Sequence, residues 1–352
     1  MSLPLSVLDL SPVPSGSTAA EALRNTIDLA RSAEGWGYRR HWLAEHHNTP
    51  GLASSAPEVM IGQVAAATTR IRVGSGGIML PNHAPLRVAE TFRVLEALFP
   101  GRIDLGIGRA PGTDQVTAIA LRRSVDALTA DDFPQQLLEL LAYGGDGFPP
   151  DHPFHSVNAE PRDVPLPPIW ILGSSDYGAQ AAAALGTGFA FARHLNPRGA
   201  EAAMRLYRET FRPSDRCPEP HAILTVSVVC AQDAGRAEHL AGSMALGVVR
   251  MRSGRPSALP SPEEAAAHHY TPAELDQVRR YRRAQVLGDP PAVAAELLGL
   301  AEQTRADELM VMTSVHDHTE RLRSYRLLAE ALAPQVGDWP STSPADPAAS
   351  KL

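Results

Sequence analysis

Short aliphatic runs alternate along the chain with longer stretches in which apolar residues recur every three or four positions. Repeated βα units produce this alternation when parallel strands share one sheet. The first run covers residues 3–10, and the helical pattern after it, over 19–34, sets Leu23, Ile27 and Ala30 on one face. Further strands are predicted at 36–45, 71–80 and 102–108, with helices at 57–68 and 85–98, the second stopped by Pro100-Gly101. Beyond 108 the pattern loosens: a helix near 131–143 leads into a glycine run and a proline-rich stretch ending at 168. Strands at 169–172, 188–193, 222–231 and 308–313 follow, with helices at 176–185, 198–211, 234–250, 290–304 and 316–332. A second insertion, 251–288, carries charged helical sequence such as 274–283.

Eight strand–helix units of this length favour a single closed (β/α)8 barrel, a TIM barrel, over an open doubly wound sheet. The barrel domain is expected to span 1–333, with insertions after strand four and helix seven. The remainder, 334–352, is rich in Pro, Ser and Ala and is expected to be a flexible tail. An open sheet that binds a dinucleotide would carry Gly-x-Gly-x-x-Gly after its first strand. Ser11-Pro12-Val13-Pro14-Ser15-Gly16 stands there instead. Chemistry is therefore expected at the C-terminal ends of the strands.

Composition narrows the function classes. A net charge of −7 leaves no basic excess to hold a polyanionic backbone, so nucleic-acid binding is disfavoured. Cys217 and Cys230 are too few for a disulfide framework or a four-cysteine zinc site, which points to a reducing, cytoplasmic home. No leader-like segment and no apolar run of membrane-spanning length is present. The terminal Ser350-Lys351-Leu352 matches a peroxisomal address, and chance is the simpler explanation of so short a motif.

Reactive groups are densest at the end of strand two, in Trp42-Leu43-Ala44-Glu45-His46-His47-Asn48. Successive strand residues face opposite ways, so His46 and His47 cannot both serve one centre while the strand continues. One histidine could exchange a proton near neutral pH; alternatively Glu45 pairs with an arginine and a histidine caps the strand. Strand three is interrupted by Gly74, Gly76 and Gly77. Either a flat ring lies against bare backbone there, or the glycines mark a bulge or a close helix contact; proximity to strand two favours the ring. Strand four ends Gly106-Ile107-Gly108-Arg109-Ala110, where a guanidinium could grip a phosphate or pair with Glu45 or Asp114. After strand five, Gly173-Ser174-Ser175-Asp176 opens a helix, which is either an anion seat or an ordinary N-cap. His268-His269 and His316-Asp317-His318 read as solvated or capping residues.

In combination, Trp42 to His47, Val73-Gly74-Ser75-Gly76-Gly77-Ile78-Met79-Leu80-Pro81 and Gly106 to Ala110 resemble the luciferase-like flavin monooxygenase family. Pro85-Leu86-Arg87-Val88-Ala89-Glu90 and Phe99-Pro100-Gly101-Arg102 extend the resemblance, which covers most of 3–332. It implies a barrel that takes reduced FMN from a separate NAD(P)H-dependent flavin reductase and uses O2 to oxidise a small organic substrate. By position, His46 corresponds to the active-site histidine, and His46 and Glu45 are the catalytic candidates. Gly76 and Gly77 lie beneath the flavin ring, often across a cis peptide bond, and Gly108 borders Arg109. Arg109 and Ser174 resemble the phosphate-holding pair, with Gly173 and Ser175 adjacent. Family members commonly form homodimers through helices two and three, for which Val59, Ile61, Val64, Phe92, Val94, Leu95 and Leu98 are apolar material.

Gly108, Ala110 and Gly173 depart from the light-emitting members, so light emission is not implied. The same fold could instead serve F420-dependent hydride transfer, or a noncatalytic flavin-binding paralogue. A metal-dependent barrel hydrolase would want His-x-His on the first strand, where Val7-Leu8-Asp9-Leu10 stands, so no metal is expected.

Overall fold

Alternation along each strand sorts side chains onto two faces, and closing the sheet turns one face into a barrel interior. The computed structural model describes residues 3–123, 132–145 and 147–333. The proposed tail and its Ser-Lys-Leu end lie outside the described residues. Strands β1 (Leu5–Asp9), β2 (Arg40–Leu43), β3 (Arg72–Ser75), β4 (Ile78–Met79), β5 (Ile103–Gly108), β6 (Ile169–Gly173), β7 (Gly188–Ala192) and β8 (Ala222–Cys230) run in parallel. After β9 (Gln285–Gly288), β10 (Glu308–Met312) pairs with both β1 and β8 and closes the ring. With β3 and β4 counted as one broken strand and β9 as an addition to the rim of β8, the barrel has the eight expected strands.

Helices α1 (Ala19–Gly35), α2 (Pro57–Ala67) and α3 (Pro85–Leu98) fall where periodicity places them. A capping box between Thr18 and Glu21 starts α1, and proline in the first turn starts α2 and α3. A helix that the sequence reading missed, α4 (Gln115–Arg122), follows β5, with Asp114 accepting from the Thr117 amide at 3.0 Å. Then come α5 (Phe133–Tyr143), α6 (Asp176–Leu185), α7 (Ala200–Thr210) and α8 (Ala234–Arg252). The second insertion holds α9 (Pro262–Ala267) and α10 (Pro272–Arg282) as well as β9, while α11 (Pro290–Thr304) and α12 (His318–Leu332) complete the wall.

The expected strand over 71–80 is broken, and the register shows how. Val73 pairs with Ile103, but Ile78 pairs with Ile107, so five residues on one strand face four on the other. One extra residue is a β-bulge, and it reverses which side chains face inward. Arg72 and Gly74 share the interior parity, whereas beyond the bulge Ile78 joins the outer core and Met79 turns in over Gly108.

Inside the ring, Leu8, Trp42, Trp170, Ala190, Ile223 and Met310 form an apolar layer, separate from the larger core between strands and helices. Below it, at the strand N-termini, the inward positions are charged. Arg40 bonds Asp104 at 2.8 Å and Glu308 at 2.9 Å, and Arg72 bonds Asp104 at 2.6 Å. Trp42 Nε1 donates to Asp104 at 3.0 Å, joining this floor to the layer above. Burial alone would raise the carboxyl pKa of Glu308, but Arg40, with His221 and Arg39, pulls it down to about 2.

The insertion at 144–168 lies at this same foot. Its Gly144 carbonyl accepts from Arg216, just before β8, and Leu166 packs on Gly144 just before β6. The 251–288 insertion lies at the opposite end: the Leu259 amide donates to Val13 and the Leu259 carbonyl accepts from Ser15, both beyond β1.

Because removing one partner of a buried ion pair strands the other charges, Arg40→Met is expected to cost about 3–5 kcal/mol in urea unfolding at pH 7. Glu308 has a depressed folded-state pKa, so its contribution is complete above the ordinary carboxylate range. It is lost as pH falls towards 2, which acid titration of the wild-type midpoint will show.

Candidate functional site

Parity decides which histidine faces the barrel. Arg40, Trp42 and Ala44 point inward, and His46 continues that series, anchored by its amide to the Ser54 carbonyl at 2.8 Å. His46 Nδ1 is enclosed without a hydrogen-bond partner, while the ring as a whole is half-buried, so its free edge looks into the mouth. Burial lowers its pKa, Glu45 raises it and His47 lowers it, with a net fall that leaves a neutral imidazole at pH 7.

Glu45 and His47 share the other parity and meet outside the barrel. The buried Glu45 carboxylate accepts from His47 Nε2 at 2.8 Å, the Met79 amide at 2.8 Å, Asn82 Nδ2 at 3.3 Å and His83 Nε2 at 3.0 Å. Its partners are thus histidines, an amide and a carboxamide, where the sequence suggested an arginine. Burial alone would raise its pKa, yet His83, His47 and the Met79 amide together hold it below the ordinary value. Glu45 thereby ties the tip of β2 to β4, immediately after the paired glycines. Both carboxylate oxygens are engaged by these donors.

The Gly76–Gly77 peptide bond is cis, as the resemblance implies. Close packing requires both glycines whatever lies against them. A Cβ on Gly77 would stand 2.6 Å from the Gly106 carbonyl oxygen, and one on Gly76 would stand 2.6 Å from Leu8. Gly108 is crossed by Met79, whose sulfur would lie 2.9 Å from an added Cβ. Bulge and close approach, the structural explanations of this glycine run, are thus both present.

Arg109 leaves β5 at the surface of the mouth. It bonds neither Glu45 nor Asp114; its guanidinium lies 4.2 Å from the Tyr177 ring in the first turn of α6. Among the described residues it has no ion-pair partner. At the start of α6, Ser175 occupies the N-cap position, but its side chain makes no capping bond. The ordinary N-cap reading of Ser175 therefore fails, and the first amides of the helix stay open. A Cβ on Gly173 would stand 3.2 Å from the Gly178 Cα, and the Ser174 carbonyl accepts from Asn196 at 2.8 Å, which holds the turn in place. A guanidinium, two hydroxyls and a helix N-terminus thus converge at one corner, a combination suited to a phosphate.

Three contributors were missed from the sequence. His194 lies in the turn just past β7, half-buried with its Nδ1 enclosed and unpartnered, and nothing in the bare chain marked it beyond its place past a strand end. Tyr281 and Gln285, in the second insertion, reach the mouth: Gln285 Nε2 lies 3.3 Å from Ser227 Oγ and 3.2 Å from the Tyr281 hydroxyl. A cavity of about 260 Å³ bordered by Trp170, Gly188, Arg216 and His221 sits at the foot, away from all these groups. Among the described residues no three His, Cys, Asp or Glu side chains are arranged to hold a metal ion, and no helix is long and apolar enough to cross a membrane.

The luciferase-like monooxygenase family model matches residues 3–308. A luciferase-like monooxygenase of Escherichia coli (strain K12) is 43% identical, over 94% of this chain and 98% of its own length. The N-acetyl-S-alkylcysteine monooxygenase of Bacillus subtilis (strain 168) is 36% identical, over 93% of this chain and 98% of its own. Among solved structures, apo-MsnO8 superposes with a TM-score of 0.85 at 40% identity, covering 94% of this chain and 98% of that one. An FMN complex of a diketocamphane monooxygenase constituent at 18% identity and an F420-dependent alcohol dehydrogenase at 14% share the fold.

Replacing Glu45 by Gln removes the charge that four donors in the cluster address, and is expected to cost about 1.5–3 kcal/mol near pH 6. Pairing with Glu45 raises the pKa of His83 despite its burial, so that contribution is present in mild acid and fades as pH rises through the folded-state value. Histidine titration by NMR should show the His83 midpoint falling in the variant.

Proposed function

The chain belongs to the luciferase-like monooxygenase family, and on that footing we propose an FMN-dependent monooxygenase that uses reduced flavin and O2 to oxidise a small organic substrate in the cytoplasm. The observation that carries this reading is the open anion corner: Arg109 without a carboxylate partner, beside the uncapped start of α6. An enclosed, unpartnered His46 Nδ1 across the same mouth supports it. These residues fit a flavin mononucleotide.

Arg109, Ser174 and Ser175, with the backbone at Gly173, would hold the phosphate. Gly76, Gly77 and Gly108 would offer the narrow backbone surface for the ring. When bound, reduced FMN supplies the two electrons that let one atom of O2 enter the substrate while the other leaves as water. His46 gives or takes a proton at its exposed ring edge, and its low basicity keeps it uncharged between steps. The loops after β1 and β2, covered by the 251–288 insertion, exclude water from the mouth.

As the family resemblance implies, a separate NAD(P)H-dependent reductase would deliver the reduced flavin. FMN is preferred to F420 because the relatives at 36–43% identity bear monooxygenase names, whereas the F420-dependent enzyme at 14% shares the fold alone. For a homodimer through α2 and α3, Ile61, Val64, Phe92 and Leu95 are buried core. Val59, Val94 and Leu98 remain exposed, Leu98 at 66%, as apolar contact material.

Spectral titration with FMN and with F420 tests the cofactor. Arg109→Ala should weaken FMN binding about 10- to 100-fold, the worth of a charge-assisted hydrogen bond. His46→Ala should bind FMN normally but lose about 100- to 10,000-fold in turnover with aldehydes, ketones or sulfonates supplied with reduced FMN. Tight binding of F420 with none of FMN contradicts the reading.

A further inference from the structure

Where β8 reaches the mouth, one register pair turns inward. Ser227 lies opposite Gln285 of β9, and the next pair, Val228 and Val286, belongs to the core outside the barrel. Alternation within the two strands therefore sends Ser227 and Gln285 to the interior, on the side of Ile223 in the apolar layer below. Both residues are buried. Tyr281, in the last turn of α10, brings its hydroxyl to the same point.

Hydrogen-bond counting shows what this cluster lacks. Arg282 Nη1 donates to Gln285 Oε1 at 3.3 Å, which fixes the other end of the carboxamide as the donor. Nε2 then donates to Ser227 Oγ at 3.3 Å and to the Tyr281 hydroxyl oxygen at 3.2 Å. Each hydroxyl oxygen accepts, and each still carries a proton. One of these protons can be spent between the two hydroxyls, since Ser227 also acts on the Tyr281 hydroxyl. The other has no acceptor among the described residues. Burial pushes the Tyr281 pKa up to about 12, so its proton is not lost to water near neutral pH. The neighbouring cations are spent: Arg282 pairs with Glu238 at 3.0 Å, and Arg193 is turned to the Ala284 carbonyl at 3.2 Å.

In the closed ring β8 is four strands from the broken β3–β4 strand in either direction, so the cluster stands across the hollow from Gly76–Gly77. We propose that Ser227, Tyr281 and Gln285 select the substrate, presenting one hydroxyl proton to the uncharged carbonyl oxygen of a ketone, aldehyde, ester or amide. This rests on the monooxygenase reading, in which the flavin ring lies along the glycines and leaves the opposite wall to the organic molecule. A carbonyl oxygen accepts without bringing a proton of its own. A thioether sulfur is a weak acceptor and leaves the buried donor unsatisfied. A carboxylate at this wall would be buried without a cation, which costs more than one hydrogen bond returns.

Calorimetry on the FMN-loaded protein tests this with matched probes: cyclic and straight-chain ketones, each beside the thioether and the carboxylate of the same skeleton. The best ketone should bind about 10-fold or more tighter than its two counterparts, the worth of satisfying one buried donor, and its carbonyl stretch should move to lower frequency in the infrared. Gln285→Glu keeps the shape and reverses the hydrogen bonds. Its carboxylate accepts both hydroxyl protons, so the ketone preference and the infrared shift should disappear while FMN binding is unchanged. Ser227→Ala and Tyr281→Phe each leave one hydroxyl free to donate and should keep the preference. Ketones bound no tighter than thioethers or carboxylates by the wild type, or an intact preference in Gln285→Glu, overturns the proposal. Failure of the cofactor reading shows separately, as absence of FMN binding by the wild type, with the ketone preference still measured on flavin-free protein.

Discussion

A closed ring of parallel strands lets only alternate side chains face inward, and the whole molecule follows from how those positions are filled. At the strand N-termini they carry charge, as Arg40, Arg72, Asp104 and Glu308, which neutralise one another out of contact with water. One step up they are large and apolar, with Trp42 and Trp170 in edge contact at 5.5 Å between ring centres. At the mouth they become small or polar: Ala44, His46, Gly108 and Ala192. A charged foot and a mouth of small and polar groups divide stability from chemistry along the barrel axis.

The bulge at Gly76–Gly77 is the one departure from strict alternation, and it serves the mouth. By adding a residue it turns Met79 inward and Ile78 outward, and it brings backbone rather than side chains to the third strand tip. Glu45 then fixes the segment after the bulge through the Met79 amide. A carboxylate outside the barrel thus sets the shape of the wall inside it, which explains why the densest polar cluster on β2 lies on the face away from the hollow.

Much of this was legible in the chain. Short aliphatic runs alternating with stretches of helical periodicity, one of them stopped by Pro100-Gly101, led directly to eight βα units. The Glu45-His46-His47 cluster could be placed at a strand tip, yet parity beyond the strand end could not be assigned until the Ser54 carbonyl was seen to hold the His46 amide. His194 stayed hidden because its sequence neighbours carry no motif and it lies in a turn, beyond the reach of strand alternation. β9 was missed because four residues inside a charged insertion look like loop until they pair with β8. Arg109 was recognised, but its freedom from carboxylates depends on Asp114 being spent as the cap of α4 and on Glu45 being occupied by histidines.

The central claim is that the tips of β2, of the bulged third strand and of β5 enclose one hollow shaped for a flavin, with the phosphate corner at α6. Crystals soaked anaerobically with reduced FMN measure this directly. The account predicts electron density for the phosphate between Arg109 and Ser174, and for the ring along Gly76–Gly77 facing His46. Flavin density confined to the cavity at the barrel foot, or a ring bound with Arg109 and His46 both out of reach, would contradict it.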